Sequence, residues 1–582
     1  MAAIEKTDHD VVHSEDIETH SPTNSTVVDE TKAEYEGVRD ERTTPKAWLC
    51  IFFLVMTFGS PFWATPTTAA MSSQLLTQLG QVELSAWVVP CITTCATISI
   101  LIFGANSDLF GRRYFLLSAN LVTAVGYIVC ACAHNTSMLI AGLSLNGFGS
   151  GMAGVALIAV PELIPNKYRH IGVVLADGFV YVMIIIGPVV GRYAIIRSDH
   201  RWQYVYWGGF VFTMVAFTGL FIFYQPPKHP RGVPWREAVR GLDWVGAILF
   251  TIGAILVLVG MVYTSYIPAT DKRVIICLVV GFGLIIAFGL WERFSSVRFP
   301  LCPEEIFSSH KGREFAVPFC LTFIIVGFFY GTAVIYPTML NAFYIDANTS
   351  ISTQLLLTLP ANLALPLGAM LLVIFGRKIG HWKITMIAST FSLVLFGTLL
   401  AMMTPYNKVT MITFVTLSQL SYGWAAYLSV TYTQLGVPQT MLGLSGGLAG
   451  TARYAGGAVA SACYSSAISN GIAKKGAELI PKAALAAGIP QSSMAAVSAA
   501  ASLGAAALEK IPGVTPQGAE MVGTAYKYAV AYGLRNAALA SMAFGVVGII
   551  LACFNEDIGP KMNEKIETFL ENDALAEKNK FH

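Results

Sequence analysis

The stretch Gly104-Ala-Asn-Ser-Asp108-Leu-Phe-Gly111-Arg112-Arg113 separates two apolar runs, residues 85–103 and 114–133. Each run has about the length that a helix needs to cross the hydrocarbon core of a bilayer. We therefore expect a charged, glycine-flanked turn between two membrane-spanning helices. The paired arginines indicate the cytosolic side, where Lys and Arg concentrate in short loops. The segment contains one acid and two bases, which is more charge than is needed to set the orientation of the helices in the membrane.

The composition of the whole chain indicates a polytopic helical membrane protein. Of the 582 residues, 54% are hydrophobic and only 12% are charged, about half the charged fraction of a typical soluble domain. The apolar runs are continuous rather than alternating, which argues against a transmembrane β-barrel. The ten cysteines have no metal-type or disulfide-type spacing, and we interpret them as small residues of the apolar interior.

Fourteen apolar runs follow an acidic leader and are predicted to be membrane-spanning helices. They are residues 47–66, 85–103, 114–133, 138–160, 171–191, 203–224, 244–265, 274–291, 315–337, 354–375, 384–403, 410–433, 441–465 and 537–554. With the N-terminus in the cytosol, the Lys and Arg of the short loops concentrate on the cytosolic side, as the positive-inside rule requires.

The order of these runs predicts five segments. Residues 1–45, which contain twelve acids, form a disordered cytosolic tail that is either regulatory or a plain solvated segment. Residues 46–224 form an N-terminal six-helix bundle, 225–313 a linker with an inserted helix pair, 314–554 a C-terminal six-helix bundle, and 555–582 a cytosolic tail.

One long outside loop, residues 466–536, interrupts the C-terminal bundle. Two interpretations stay open for it, helices that lie over the external mouth and a passive loop. A shorter outside loop carries the sequon Asn348-Thr-Ser, which makes Asn348 a candidate glycosylation site.

Several function classes find no support in the sequence. No Walker-type phosphate loop is present, which argues against ATP as the energy source. The cluster Gly147-Phe-Gly-Ser-Gly151 lies inside an apolar run with no strand before it, and close helix packing explains it better than nucleotide binding. No catalytic constellation indicates an enzyme. We expect no cofactor, no metal and no nucleic-acid partner, and a monomer in the lipid bilayer.

Several motifs resemble those of a known transporter family. The segment Gly104–Arg113 resembles the cytosolic loop between the second and third helices of the major facilitator superfamily, and Gly376-Arg377-Lys378-Ile-Gly380-His-Trp-Lys383 resembles its degenerate copy in the second half. The fourteen-span drug:proton antiporter branch has segments similar to Arg201–Trp207, Leu242–Gly246 and Thr451–Gly457. The resemblance covers nearly the whole chain from residue 46. It implies an all-α major facilitator fold, with two six-helix bundles and an inserted central pair.

A subgroup of that branch resembles the chain further. The acidic leader, the segment Pro161–Arg169, the long loop before the last helix and the tail Asp557–Leu570 are similar to those of the fungal trichothecene efflux pump-like and siderophore transporter group.

The charged turn is predicted to be one side of a cytosolic gate. We expect Asp108 to contact the positive N-terminus of the helix that begins near Met441. Such contacts would form when the cytosolic side is closed and break when it opens, as alternating access requires. Membrane topology and lipid headgroup anchoring are the alternative explanation of these charges. Arg112 and Arg113 are expected to pair with Glu162, with Arg169 two helical turns beyond it. The predicted gate residues are Gly104, Asp108, Gly111, Arg112, Arg113, Glu162, Arg169, Arg377 and Lys378.

The apolar run 171–191 carries a second candidate motif. Gly178, Gly187, Pro188 and Gly191 match the helix motif of the family's antiporters. The two last glycines allow close packing and the proline kinks the helix, so packing alone is the alternative explanation. Asp177 is the acid best placed to bind and release a proton inside the membrane. A purely structural carboxylate is the alternative.

A set of polar and aromatic residues is predicted to line the substrate cavity. Arg453 carries a permanent charge near mid-depth, and such a charge is costly unless it faces a cavity. It would contact an oxygen-rich cargo there or, alternatively, neutralise helix carbonyls. The other candidates could equally be core or interface residues, and they are Asn146, Tyr181, Gln419, Tyr422 and Trp424.

Together these features predict a secondary transporter of a fungal plasma membrane, with a vacuolar or vesicle membrane as the alternative location. It would export a small amphipathic compound (a mycotoxin, another secondary metabolite or a drug), driven by inward protons. The main alternative is proton-coupled uptake of ferric siderophores, because Leu143 stands where the family's antiporters carry an arginine. A non-transporting nutrient sensor would need a larger cytosolic domain than the two tails provide.

Overall fold

The computed structural model describes residues 43–570, except for residues 82–83, 85–86, 89, 198–201, 227–233, 265–266, 269, 346–348, 502–503 and 567. The predicted glycosylation site Asn348 and nearly all of the acidic leader lie outside the described residues. Within them the secondary structure is helical, and a single bridge pairs Leu242 with Phe299.

The α-helices are numbered here in chain order. They are α1 Pro45–Gly59, α2 Ala64–Leu79, α3 Pro90–Phe110, α4 Arg112–Ala131, α5 Thr136–Ala153, α6 Ala156–Glu162, α7 Arg169–Ala176, α8 Gly178–Arg197, α9 Trp202–Phe223, α10 Trp235–Arg240, α11 Trp244–Tyr263, α12 Lys272–Phe294, α13 Glu304–Ser308, α14 Ala316–Phe343, α15 Ile351–Ile379, α16 Trp382–Leu399, α17 Lys408–Leu435, α18 Leu442–Ala486, α19 Met494–Ala500, α20 Ala505–Leu508 and α21 Pro516–Phe554.

Twelve helical segments of the described chain are long and apolar enough to cross a membrane. They coincide with the first eleven predicted runs and with the last one. The helices α17 and α18 coincide with the runs 410–433 and 441–465, but they are richer in Ser, Thr and Gly. That composition fits their central position, because α18 packs against α3, α14 and α21 at once. The total of fourteen spans stays a prediction.

The predicted turn at residues 104–113 is wrong in its extent. Helix α3 continues to Phe110 and α4 starts at Arg112, so Gly111 alone joins them. Its φ of 82° lies in the left-handed region that favours glycine. The polar residues before it stay helical because they bond to their own helix: Asn106 donates to the Ile102 carbonyl and Ser107 to the Gly104 carbonyl, at 2.8 and 2.7 Å.

The two halves of the described chain meet through helix pairs on two sides. On one side α3 crosses α18, and on the other α7 and α8 lie against α15, with α7 also on α17. At the first crossing a Cβ on Gly104 would lie 2.4 Å from the Cα of Gly447, so the two backbones touch. The inserted pair α11–α12 packs on itself, and α11 contacts both helices of this crossing. The exact bundle boundaries stay a prediction.

The described residues of the predicted outside loop form a helical stalk. Helices α18 and α21 have 45 and 39 residues, whereas about 20 residues suffice to cross a bilayer. Their outer ends enclose a separate apolar cluster with α19 and α20, which includes Ile480, Val497, Leu508 and Val522. The predicted helix boundaries at residues 465 and 537 are therefore wrong, because both helices continue well beyond them. The role of the segment stays a prediction.

Candidate translocation site and cytosolic gate

Asp108 connects the two halves of the protein at the junction of α3 and α4. Its carboxylate accepts hydrogen bonds from the backbone N–H groups of Gly443 and Leu444, at 2.8 and 3.0 Å. These N–H groups belong to the first turn of α18, where no intrahelical acceptor is available and the helix dipole favours an anion. The contact expected near Met441 is therefore present.

Arg112 joins Asp108 to Glu162. Its guanidinium forms an ion pair with the Glu162 carboxylate and donates to Asp108 at 3.2 Å. All three side chains are at most 8% exposed, so these charge-assisted bonds are shielded from water.

Arg113 points elsewhere. It donates to the Phe221 carbonyl at 2.8 Å and lies over the Phe221 ring. The expected contact of Arg113 with Glu162 is absent from the described contacts, because consecutive residues of a helix do not share a face.

The second-half copy of the motif contacts the first half. Arg377 donates to the Tyr168 hydroxyl at 2.7 Å, and its guanidinium lies 5.1 Å from the centre of that ring. Lys378 lies over Phe375 of its own helix. Arg169 is buried at the start of α7. The role of all these residues in gating stays a prediction.

Asp177 lies at a break between α7 and α8 and binds two residues of the second half. Its Oδ2 accepts from the Tyr427 hydroxyl at 2.6 Å and from Arg453 Nη2 at 2.9 Å. Tyr427 is on α17 and Arg453 on α18, so three segments converge here. The Tyr181 ring, one turn further along α8, makes an edge contact with the Tyr427 ring at 6.3 Å. We call Asp177, Tyr181, Tyr427 and Arg453 the central cluster.

The central cluster lies deep in the protein. Arg453 follows Leu442, the first residue of α18, by eleven positions, which corresponds to about 16 Å along the helix. The Arg453 side chain is 20% exposed and that of Asp177 only 3%, so the carboxylate is almost completely shielded. Within the described chain, Asp177 Oδ1 and Arg453 Nη1 are buried and have no hydrogen-bond partner. Both atoms therefore keep unused hydrogen-bonding capacity.

The other predicted cavity residues have different surroundings. Tyr422 stacks on Phe329 with a ring distance of 4.2 Å, and Trp424 packs in the same apolar cluster as Tyr427. Gln419 donates to Thr332 at 2.8 Å and thereby connects α17 to α14. Asn146 is fully buried against α4. Of the predicted set, the structure brings Tyr181 and Arg453 into contact with the Asp177 site.

The glycines of the antiporter-type motif pack on the first span. A Cβ on Gly187 would lie 3.0 Å from Pro66, and one on Gly191 would lie 2.6 Å from the Thr67 carbonyl oxygen. Gly178 faces Val55 at 3.4 Å, and Pro188 lies inside α8. This geometry supports the packing explanation directly, while an antiporter-specific role stays a prediction.

Two features of the site were not predicted from the sequence. One is the pairing of Asp177 with Arg453, although a usable signal was present: opposite charges in two apolar runs are costly unless they pair. The other is Tyr168 as the partner of Arg377, for which a tyrosine in a loop gives no signal.

One group of side chains in the described chain has a metal-type arrangement, His310, Glu314 and Glu556. His310 and Glu556 are exposed, and Lys561 already donates to Glu314 at 2.6 Å. A cation on these residues would face that ammonium, and we assign no metal to them.

Comparison with known proteins places the chain in a family. The family model for the fungal trichothecene efflux pump matches residues 41–581. The MFS-type transporter prx5 of Penicillium rubens is 38% identical over 531 residues, which cover 90% of this chain and 94% of that protein. The trichothecene efflux pump TRI12 of Fusarium sporotrichioides is 24% identical over 511 residues, or 86% of this chain and 85% of that protein.

A solved structure shows the same fold. The human organic anion transporter MFSD10 aligns over 88% of this chain and 100% of its own, with a TM-score of 0.52 at 13% identity. Helix content, motif geometry and these relatives lead to one conclusion: the chain is a multi-span membrane transporter of the major facilitator superfamily and belongs to the fungal trichothecene efflux pump family.

Proposed function

We propose that the protein exports a small amphipathic organic compound, a mycotoxin or another secondary metabolite, across a fungal plasma membrane as a monomer. The central cluster is the observation that carries this proposal. It joins segments of both halves, and alternating-access transporters bind their cargo between two such units. The relatives named as efflux pumps support the outward direction.

The chemistry of the central cluster indicates the kind of cargo. Arg453 Nη1 is a free donor within the described chain, and the rings of Tyr181, Tyr427 and the stacked pair Tyr422–Phe329 supply apolar surface. Sites of this kind bind a mostly apolar molecule and orient it through a few polar groups. We therefore propose a ring-containing cargo with oxygen acceptors that accept a hydrogen bond from Arg453.

Proton coupling follows from competition for Asp177. A proton on its carboxylate removes the charge that holds Arg453 at 2.9 Å. A donor group of the cargo can bind Oδ1, which has no partner within the described chain, only while Asp177 is ionised, so a proton from the outside displaces the cargo. Loss of that proton to the cytosol makes the carboxylate able to bind the next cargo molecule. Proton and cargo would thus act on one ion pair between the two halves.

Metabolite profiling of a deletion strain, with and without iron, tests this proposal. We expect the deletion strain to retain a secondary metabolite inside the cell that the parent strain releases, in both iron conditions. Uptake of ferric siderophores is the second candidate, which the buried Leu143 favours. If the deletion strain fails to grow on a siderophore as sole iron source and still releases its metabolites as the parent strain does, uptake rather than export is the function.

A further inference from the structure

The chain continues after α21 across the cytosolic ends of other helices, and we call residues 555–570 the C-terminal strap. Its first part is attached to the second half of the protein. Ile558 is buried in one apolar cluster with Trp382 and Tyr432. Lys561 donates to Glu314, which lies shortly before α14, at 2.6 Å.

The later part of the strap is bonded to the first half through its backbone. Its partners in the first half are Asn166 and Lys167, between α6 and α7, and Glu162 at the end of α6. Three hydrogen bonds connect them: Asn166 N–H to the Lys565 carbonyl at 2.9 Å, Lys167 N–H to the Asn563 carbonyl at 2.7 Å, and Thr568 N–H to the Glu162 carbonyl at 3.2 Å.

Side chains add to this attachment. Lys167 forms an ion pair with Glu564. Leu570 is 1% exposed and belongs to an apolar cluster that contains Leu163 and Ile164 of the first half. The strap therefore buries an apolar side chain in each half, Ile558 in the second and Leu570 in the first.

Glu162 connects the strap to the predicted gate. Its side chain binds Arg112, while its carbonyl accepts from the strap. A hydrogen bond weakens steeply once its donor and acceptor move beyond about 3.5 Å. The strap thus cannot keep both attachments if the cytosolic ends of the two halves separate.

We propose that the C-terminal strap is a latch, which holds the cytosolic side closed and detaches from the segment between α6 and α7 when that side opens. The inference rests on the rocking of two halves that the proposed function requires, but on neither the cargo nor the direction of transport. Its charge pair, Lys167 with Glu564, provides a reversible way to weaken the latch.

Distance measurement between the two halves tests the latch without any cargo. Spin labels on Tyr114→Cys and Ile384→Cys would report the separation, because these residues are 55% and 63% exposed at the cytosolic starts of α4 and α16. The native cysteines are replaced by serine, and double electron–electron resonance is recorded on the full chain in nanodiscs.

Charge reversal supplies the variants. We expect Lys167→Glu to raise the ratio of long to short distances roughly two- to fivefold, the range of a partly exposed ion pair. Glu564→Lys should act alike, and the double variant should return the ratio to that of the parent protein. Arg236→Glu, an exposed cation on the loop helix α10, is the matched control and should change nothing.

Removal of residues 561–582 should shift the ratio further than either single reversal. Unchanged distances in both single variants, or a double variant that does not restore the parent ratio, would overturn the latch. The charge-reversal series decides the question even where the truncated chain does not fold. Failure of the export proposal would leave these distances unaffected, because no cargo is present.

Discussion

Asp177 and Arg453 form a buried ion pair between the two halves of a membrane protein. Removing both charges from water is costly, and replacing such a pair by neutral residues is often harmless to stability. Removing one partner is different, because the other charge then stays buried without compensation. Stability alone therefore does not explain a charged pair here, which is why we propose a role in transport for it.

Neutralising one or both charges separates their effect on stability from their effect on transport. We expect Asp177→Asn and Arg453→Gln each to lower the free energy of unfolding by about 3 kcal/mol. The double variant should recover most of this stability and yet not transport. Thermal unfolding in detergent and transport in vesicles measure the two effects. A double variant with normal, gradient-dependent transport would contradict the proton role of Asp177.

His310, which lies outside the candidate membrane-spanning helices, contributes to the free energy of unfolding in a pH-dependent way. The hydrogen bond to Glu314, with Nδ1 and Oε2 2.9 Å apart, raises the pKa of His310 above its ordinary value. The charged groups around it are Glu314, Glu556 and Lys561. Because the pKa of His310 is higher in the folded state, its stabilising effect is complete below the unfolded-state pKa of about 6.5. The effect is lost as the pH rises through the folded-state pKa.

The wild-type protein should accordingly lose a little more thermal stability between pH 6 and pH 8 than His310→Gln does. The difference stays small because the His310 side chain is 57% exposed. Parallel melting curves of the two proteins at both pH values provide the measurement. Identical pH dependence in the two would show that His310 does not contribute.

At the residue scale, the sequence predicts contacts that simple electrostatics requires. The contact between Asp108 and the start of α18 follows from the helix dipole, and the pair Arg112–Glu162 from opposite charge. The partner of Arg113 was predicted incorrectly, because loop charges were assigned without the direction that α4 imposes on each side chain. The direction of the Asn146 side chain likewise depends on packing that a single sequence does not contain.

At the element scale, the crossing of α3 and α18 depends on glycine. The backbones touch at Gly104 and Gly447, and the carboxylate of Asp108 binds the same end of α18. Close approach and the ion contact therefore stabilise one arrangement of the two halves.

Gly104→Ala should separate these helices. Its Cβ would lie 2.4 Å from the Cα of Gly447, a backbone atom that cannot move alone. We expect a clear loss of thermal stability and of transport. Gly208→Ala on α9 is the matched control, because a Cβ there meets no atom within 4 Å, and it should be neutral or slightly stabilising. Equal effects of the two substitutions would contradict the proposed contact.

Helix existence was predictable from apolar length, whereas helix ends were not. Residues 104–110 look like a turn, but their polar side chains bond within α3 and the helix continues to Phe110. Helices in residues 466–536 were one of two interpretations, but the extension of α18 and α21 into them was not predicted. The extended parts are not apolar, and hydropathy marks only apolar segments.

At the scale of the whole molecule, several groups of contacts connect the two halves of the described chain. The predicted gate residues and the C-terminal strap connect them at one end of the helices, and the central cluster connects them further along α18. Arg192 also bonds Gln354 between α8 and α15. An alternating-access cycle breaks such groups in turn, so substitutions in different groups should favour different states of one cycle.

Transport into inside-out plasma-membrane vesicles with an acidic interior tests the account most directly. The probe is the metabolite that a deletion strain retains. We predict saturable uptake into wild-type vesicles, its loss when a protonophore collapses the pH gradient, and no uptake with Asp177→Asn. Uptake confined to right-side-out vesicles with an acidic exterior would contradict export.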